Sequence, residues 1–84
     1  MEKSIMLVLL ENRRESSIEV QQALTDNGCF IKTRIGLNDS TPEHCTNSGL
    51  IILELMGDHK AKNDLYDRLK VIPQVSVQLV ELSI

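Results

Sequence analysis

The chain is poor in aromatic residues: Phe30 and Tyr66 are its only two, and tryptophan is missing. A stacking platform for single-stranded nucleic acid needs several rings on one surface, so that class of function is excluded. Basic residues are also in deficit, nine Lys and Arg against twelve Asp and Glu, for a formal net charge of −3. Without a basic face there is no electrostatic footprint for a phosphate backbone, and direct nucleic-acid binding is not expected. Two cysteines, Cys29 and Cys45, are too few for a disulfide-built scaffold and read as reduced thiols in a reducing compartment. No apolar run is long enough to cross a membrane; Glu11 stops the run at residues 5–10, and no small-residue cleavage site follows. A cytoplasmic protein with no membrane partner is the expectation. Glycine-rich phosphate loops, paired-carboxylate sites and Cys-x-x-Cys pairs are absent too, so no motif names a reaction and an enzyme is not expected.

What is present fits one domain over residues 1–84, since two cores cannot be built from 84 residues. A chain of this size buries only roughly 60 to 65% of its unfolded surface, and small proteins recover the deficit through disulfides, metals or partner subunits. With so few cysteines, self-association as a dimer or tetramer is the expected remedy.

Six segments separate by periodicity. Residues 4–11 (SIMLVLLE) are almost continuously apolar, as a central strand covered on both faces requires. Asn12 with Glu15, and Ser16 with Glu19, have capping-box spacing ahead of a helix carrying Val20, Ala23, Leu24 and Asn27, with Gly28 as its stop. From Cys29 the period becomes two: Ile31, Thr33, Ile35 and Leu37 alternate with Phe30, Lys32, Arg34 and Gly36, predicting a strand with the first set buried and the second largely polar. Residues 38–48 (NDSTPEHCTNS) form a long polar loop. Residues 49–56 (GLIILELM) are a second continuously apolar strand, closed by Gly57. Asp58 can cap a helix with Ala61, Leu65, Leu69 and Ile72 on one face, ended by Pro73. Val75, Val77 and Leu79 then alternate in a last strand, where the adjacent Leu79 and Val80 suggest a bulge.

The order βαββαβ, with right-handed crossovers, predicts an α+β, ferredoxin-like split βαββαβ domain: a four-stranded antiparallel sheet with both helices on one face. The central strands would be the first and third, the two with continuous apolar sequence. Their second faces need cover that two helices cannot give, and another subunit would supply it.

Asn12, Arg13 and Arg14 fall between the first strand and the first helix, where free backbone N–H groups and two guanidinium groups favour a small carboxylate or phosphate effector; the alternative is a solvated loop paired to Glu11 or Glu15. Gly36 suggests a bulge or a close approach to a neighbouring subunit's loop. Arg34 beside it is a further ligand-binding candidate, its alternative being a solubilising charge. His44 and Cys45, with His59, offer thiolate and imidazole to a transition metal such as Zn, Ni or Cu, although their spacing is no ligand signature and they serve equally as loop and cap residues in water. His44 and Cys45 are adjacent, so they make a poor base–nucleophile pair.

Glu11-Asn12-Arg13, residues 31–37 (IKTRIGL), and Cys45 followed by residues 49–58 (GLIILELMGD) resemble the iron-only hydrogenase system regulators, over essentially the whole chain. That family is grouped with ACT-like domains and with the C-terminal regulatory domain of the nickel-responsive regulator. The resemblance implies an ACT-like fold, assembly as dimers or tetramers, and a regulatory role tied to hydrogenase systems. It also implies a small effector at a subunit interface near Asn12, Arg13 and Gly36. Two departures stand out. The first strand begins within a few residues of Met1, leaving no room for a DNA-binding ribbon-helix-helix, so transcription regulation would run through a protein partner. There is no His-x-His, and Asn38 stands where related sequences would carry a His, which weakens a metal site at Cys45. Metal sensing and ligand-free assembly as an adaptor remain the alternatives.

Overall fold

The computed structural model describes residues 1–11, 14–38 and 49–84. Its elements run β1 (Glu2–Leu10), α1 (Arg14–Asp26), a short 3-10 turn (Gly28–Phe30), β2 (Ile31–Asn38), β3 (Gly49–Leu55), α2 (His59–Lys70) and β4 (Val75–Ser83). The four strands form one sheet in the order β2-β3-β1-β4, with every neighbouring pair antiparallel. This is the ferredoxin-like split βαββαβ topology, with the two continuously apolar strands, β1 and β3, at the centre.

Strand periodicity decides what each face carries. Met6, Val8 and Leu10 of β1 and Ile51, Leu53 and Leu55 of β3 point to the helices and are buried. They meet Val20, Ala23 and Leu24 of α1, Leu65 and Leu69 of α2, and Ile72 and Val77, in one hydrophobic core. Both helices are amphipathic at a 3.6 period, so each gives the sheet one apolar stripe. Arg68 of α2 bonds Asp26 of α1 at 2.8 Å, tying the helices together at their exposed side.

Local chemistry sets the boundaries. Asp58 is the N-cap of α2, its carboxylate accepting from the Ala61 N–H at 2.8 Å. Gly57 sits at φ +107°, and a Cβ there would lie 2.9 Å from Phe30 Cδ1, so this turn needs glycine. Ahead of β4, Gln74 takes φ +63°. That turn is held from two sides: the Glu11 N–H donates to the Gln74 carbonyl at 3.0 Å, and Ser16 Oγ donates to the Pro73 carbonyl at 2.6 Å.

Several sequence expectations are corrected. Ser16 lies inside the first turns of α1 and is buried on Pro73, so the Ser16–Glu19 spacing is not a cap. Asn27, not Gly28, closes α1: its backbone N–H and its side-chain Nδ2 both donate to the Ala23 carbonyl, at 3.2 and 2.8 Å. The β1–β4 register runs unbroken through Leu79 and Val80, and β2 pairs evenly at Gly36, where an added Cβ would meet nothing within 4 Å. The irregularity is elsewhere, at Lys32, where Ile31 pairs with Leu55 and Thr33 with Glu54. That extra residue reverses the alternation. Ile31 packs on the core, whereas Thr33, Ile35 and Leu37 turn to the other side of the sheet, opposite to the burial expected of them.

Candidate functional site

The feature that stands out is the sheet surface turned away from the helices. Across the register it carries Ile35 and Leu37 of β2, Leu50 and Ile52 of β3, Ile5, Leu7 and Leu9 of β1, and Val80 and Leu82 of β4. Ile35 and Leu37 are about half exposed, at 48% and 50%, as is Leu9, and Leu82 is more so. Side chains standing singly in water need no explanation, but four adjacent strands presenting apolar rows form a contiguous patch, the kind that marks an interaction surface.

One end of this surface is polar. Lys3 Nζ bonds Glu54 Oε2 at 3.0 Å, and Thr33 Oγ1 donates to Glu54 Oε1 at 3.5 Å. The hydrogen bond from Lys3 holds the Glu54 carboxyl below its ordinary range, and the charges of Lys3 and Lys32 add to it. Toward Leu9, Leu37 and Leu50 the surface is aliphatic on β1, β2 and β3, while β4 adds Ser76 and Gln78 at its margin.

Beyond that apolar end, Leu9, Glu11, Gln74, Val75 and Ser76 line an open depression of about 350 Å³. It lies where β1 leads into residues 12 and 13. Asn12 and Arg13 themselves are outside the described residues, as are His44 and Cys45; Arg14 is the first residue of α1. Gly36 is exposed in β2, paired with Ile51 of β3. Arg34 is on the helix side of the sheet, and its guanidinium donates to Gln21 Oε1 of α1. Its local role is to join an edge strand to a helix. His59 is the exposed first residue of α2, and among the described residues no three His, Cys, Asp or Glu side chains converge as metal ligands. Cys29 is exposed in the 3-10 turn.

Sequence reasoning missed one polar cluster built around a buried hydroxyl. Ser4, 2% exposed, donates to Glu81 Oε2 at 2.5 Å and accepts from Lys62 Nζ at 2.6 Å, linking β1, β4 and α2. The hydroxyl donates once and accepts once and is shielded from solvent, which suits a structural bridge between opposite charges and not a nucleophile. Its signal was available: Ser4 has the inward parity of Met6, Val8 and Leu10.

No family model matches the chain, and no curated protein does. Solved structures do. An uncharacterized protein from Thermotoga maritima aligns at 25% identity with a TM-score of 0.84, over 99% of this chain and all of that one. The kinship is one of fold. A nitrogen regulatory PII-like protein from Thiomonas intermedia K12 has 11% identity and a TM-score of 0.60, over 100% of this chain and 92% of that one. A divalent cation tolerance protein from Thermus thermophilus has 18% identity and a TM-score of 0.53, over 100% and 84%. At these identities they share the ferredoxin-like architecture and nothing finer. No helix among the described residues is long and apolar enough to cross a membrane.

Proposed function

We propose that this chain is a non-catalytic, self-associating regulatory module of the ACT-like kind, acting in the cytoplasm on an iron-only hydrogenase system through a protein partner. The observation that carries it is the helix-free sheet surface, whose aliphatic rows are the natural place for a second copy to stack. Burying an Ile or Leu side chain there stabilises by about 1.5–3 kcal/mol, so a handful on each copy offsets the cost of association. Two sheets packed face to face sit about 10 Å apart, the thickness two layers of such side chains fill.

The effector is a small carboxylate or phosphate recognised around Asn12, Arg13 and Arg14. Support for a sensing role comes from the sequence resemblance, and the fold is one that a nitrogen regulatory PII-like protein also uses. The open depression at Leu9, Glu11 and Gln74 lies at the same end of β1.

Native mass spectrometry of the reduced, untagged protein tests this. The expected species is a dimer or tetramer, and Ile35→Asp should return it to a folded monomer, because Ile35 is half exposed and outside the core. A wild-type monomer at micromolar concentration would overturn the assembly, and unchanged effector mass or affinity in Arg13→Ala would overturn the assigned site.

A further inference from the structure

The helix-free surface is not evenly apolar, and the register fixes where its polar residues fall. One rung across β2, β3, β1 and β4 reads Leu37, Leu50, Leu9 and Ser76. The next reads Ile35, Ile52, Leu7 and Gln78, and the third Thr33, Glu54, Ile5 and Val80. Lys3 and Leu82 follow on β1 and β4. Polar side chains thus hold two opposite corners, Ser76 and Gln78 at one, Thr33, Glu54 and Lys3 toward the other. Between them an aliphatic band crosses the whole sheet, from Leu37 through Ile52 and Ile5 to Leu82.

The band is oblique. It shifts one strand sideways, about 4.8 Å, for each two-residue step of about 6.7 Å along a strand, so it lies at about 35° to the strands. Self-association through one patch used by both copies is isologous, with a two-fold axis lying between the two sheets. The bands overlie only when that axis runs along the band or squarely across it, and either choice doubles the slope of the band into the angle between the strands. Aligned sheets match poorly. An axis along the strands sets Leu37 on the partner's Ser76 and Ile35 on the partner's Gln78, and an axis across the strands sets Ile52 on the partner's Glu54 and Leu9 on the partner's Lys3. Such contacts desolvate polar groups against aliphatic ones and give them no new hydrogen bond.

We propose that the second copy stacks on this surface with its strands crossed at about 70° to those of the first, near the orthogonal class of sheet packing and far from the aligned class at about 30°. This geometry rests on the self-association proposed above and fixes how the two copies sit. Leu9, Ile35, Leu37 and Leu82, on or beside the band, are about half exposed or more in the single chain and become covered. Glu54 keeps Lys3 and Thr33 as partners within its own chain, so covering it leaves no carboxylate unpaired.

Cysteine cross-linking in the full chain, with Cys29 and Cys45 replaced by serine, reads the angle. Leu82 and Ser76 lie toward opposite ends of the same face of β4, Leu82 on the band and Ser76 at a polar corner. In crossed stacking one of these sites lies about 10 Å from its own copy in the partner and the other more than about 20 Å, whereas in aligned stacking both exceed about 15 Å. Leu82→Cys and Ser76→Cys are each assayed as the associated species isolated by size exclusion. A bismaleimide reaching about 10 Å should join the copies through one of the two sites and at least about tenfold more slowly through the other, because a linker that cannot span its sites gives almost no effective concentration. Adding Ile35→Asp should abolish the cross-link. Associated protein that cross-links at neither site, or at both alike, would overturn the crossed geometry and leave self-association standing. A wild-type monomer in native mass spectrometry would remove both. Cross-linking that survives Ile35→Asp would place the contact on another face and overturn the proposal as well.

Discussion

Replacing Gly57 with alanine isolates a single backbone demand. The residue joins β3 to the cap of α2 at φ +107°, beyond the left-handed basin that L residues visit near +60°. Holding a non-glycine residue in such a region costs about 1–3 kcal/mol. The new Cβ would also stand 2.9 Å from Phe30 Cδ1, a ring that is 38% exposed and can yield. Forcing it off its rotamer adds about 0.5–1.5 kcal/mol. Against this, alanine restricts the unfolded chain and returns about 0.4–1 kcal/mol. Gly57→Ala should therefore destabilise by about 2–3 kcal/mol, lowering Tm by about 10–20 °C in a domain of this size. Thermal and urea unfolding, followed by circular dichroism, measure both quantities. Repeating the substitution in a Phe30→Ala background separates the two contributions, because only the ring clash should disappear, reducing the cost by about 0.5–1.5 kcal/mol. A Gly57→Ala protein within about 0.5 kcal/mol of wild type, the range of an ordinary surface change, would refute the reasoning.

Leu53→Ala, which empties a fully buried position at the centre of the core, should cost about 2–5 kcal/mol by urea denaturation, and a loss under about 1 kcal/mol would contradict the packing described. Glu54 has a folded carboxyl pKa below its ordinary 4.5, so its contribution is present above that value and is lost as pH falls through the lower folded one. Acid unfolding of wild type and Glu54→Gln should therefore differ at neutral pH and converge in strong acid, and parallel curves across the range would remove the Lys3 pairing as the cause.

Much of the architecture was legible because two strands are apolar without interruption and two helical stripes are punctuated by Asp58 and Pro73. Those signals are local, and the structure places β1, β3 and α2 within a residue or two of where they point. The orientation of β2 was not legible. Ile31, Thr33, Ile35 and Leu37 look like one buried face, but the extra residue at Lys32 is defined by pairing with β3, a partner distant in sequence. Seeing β2 as half-buried also hid how apolar the helix-free surface is. Of the candidate site, the contact from Arg34 to Gln21 was not legible, because it joins an edge strand to a neighbouring helix. Ser4 was overlooked because a small polar residue at the start of an apolar run reads as a strand boundary, and only Lys62 and Glu81 together explain its burial.

The bulge at Lys32 acts as a frameshift in the third dimension. Downstream of it, identity is kept but sidedness is inverted, much as an inserted base leaves letters intact and changes every word. Were β2 to pair without the bulge, Lys32 would face Glu54 and each later residue would move one rung along β3, carrying Ile35 and Leu37 to the helix side and Arg34 outward. The chain would then gain a better-filled core and forfeit two of the aliphatic rungs on its open surface. A slip of one residue in the β2–β3 register thus trades solitary stability against sociability without altering a single side chain in the strand.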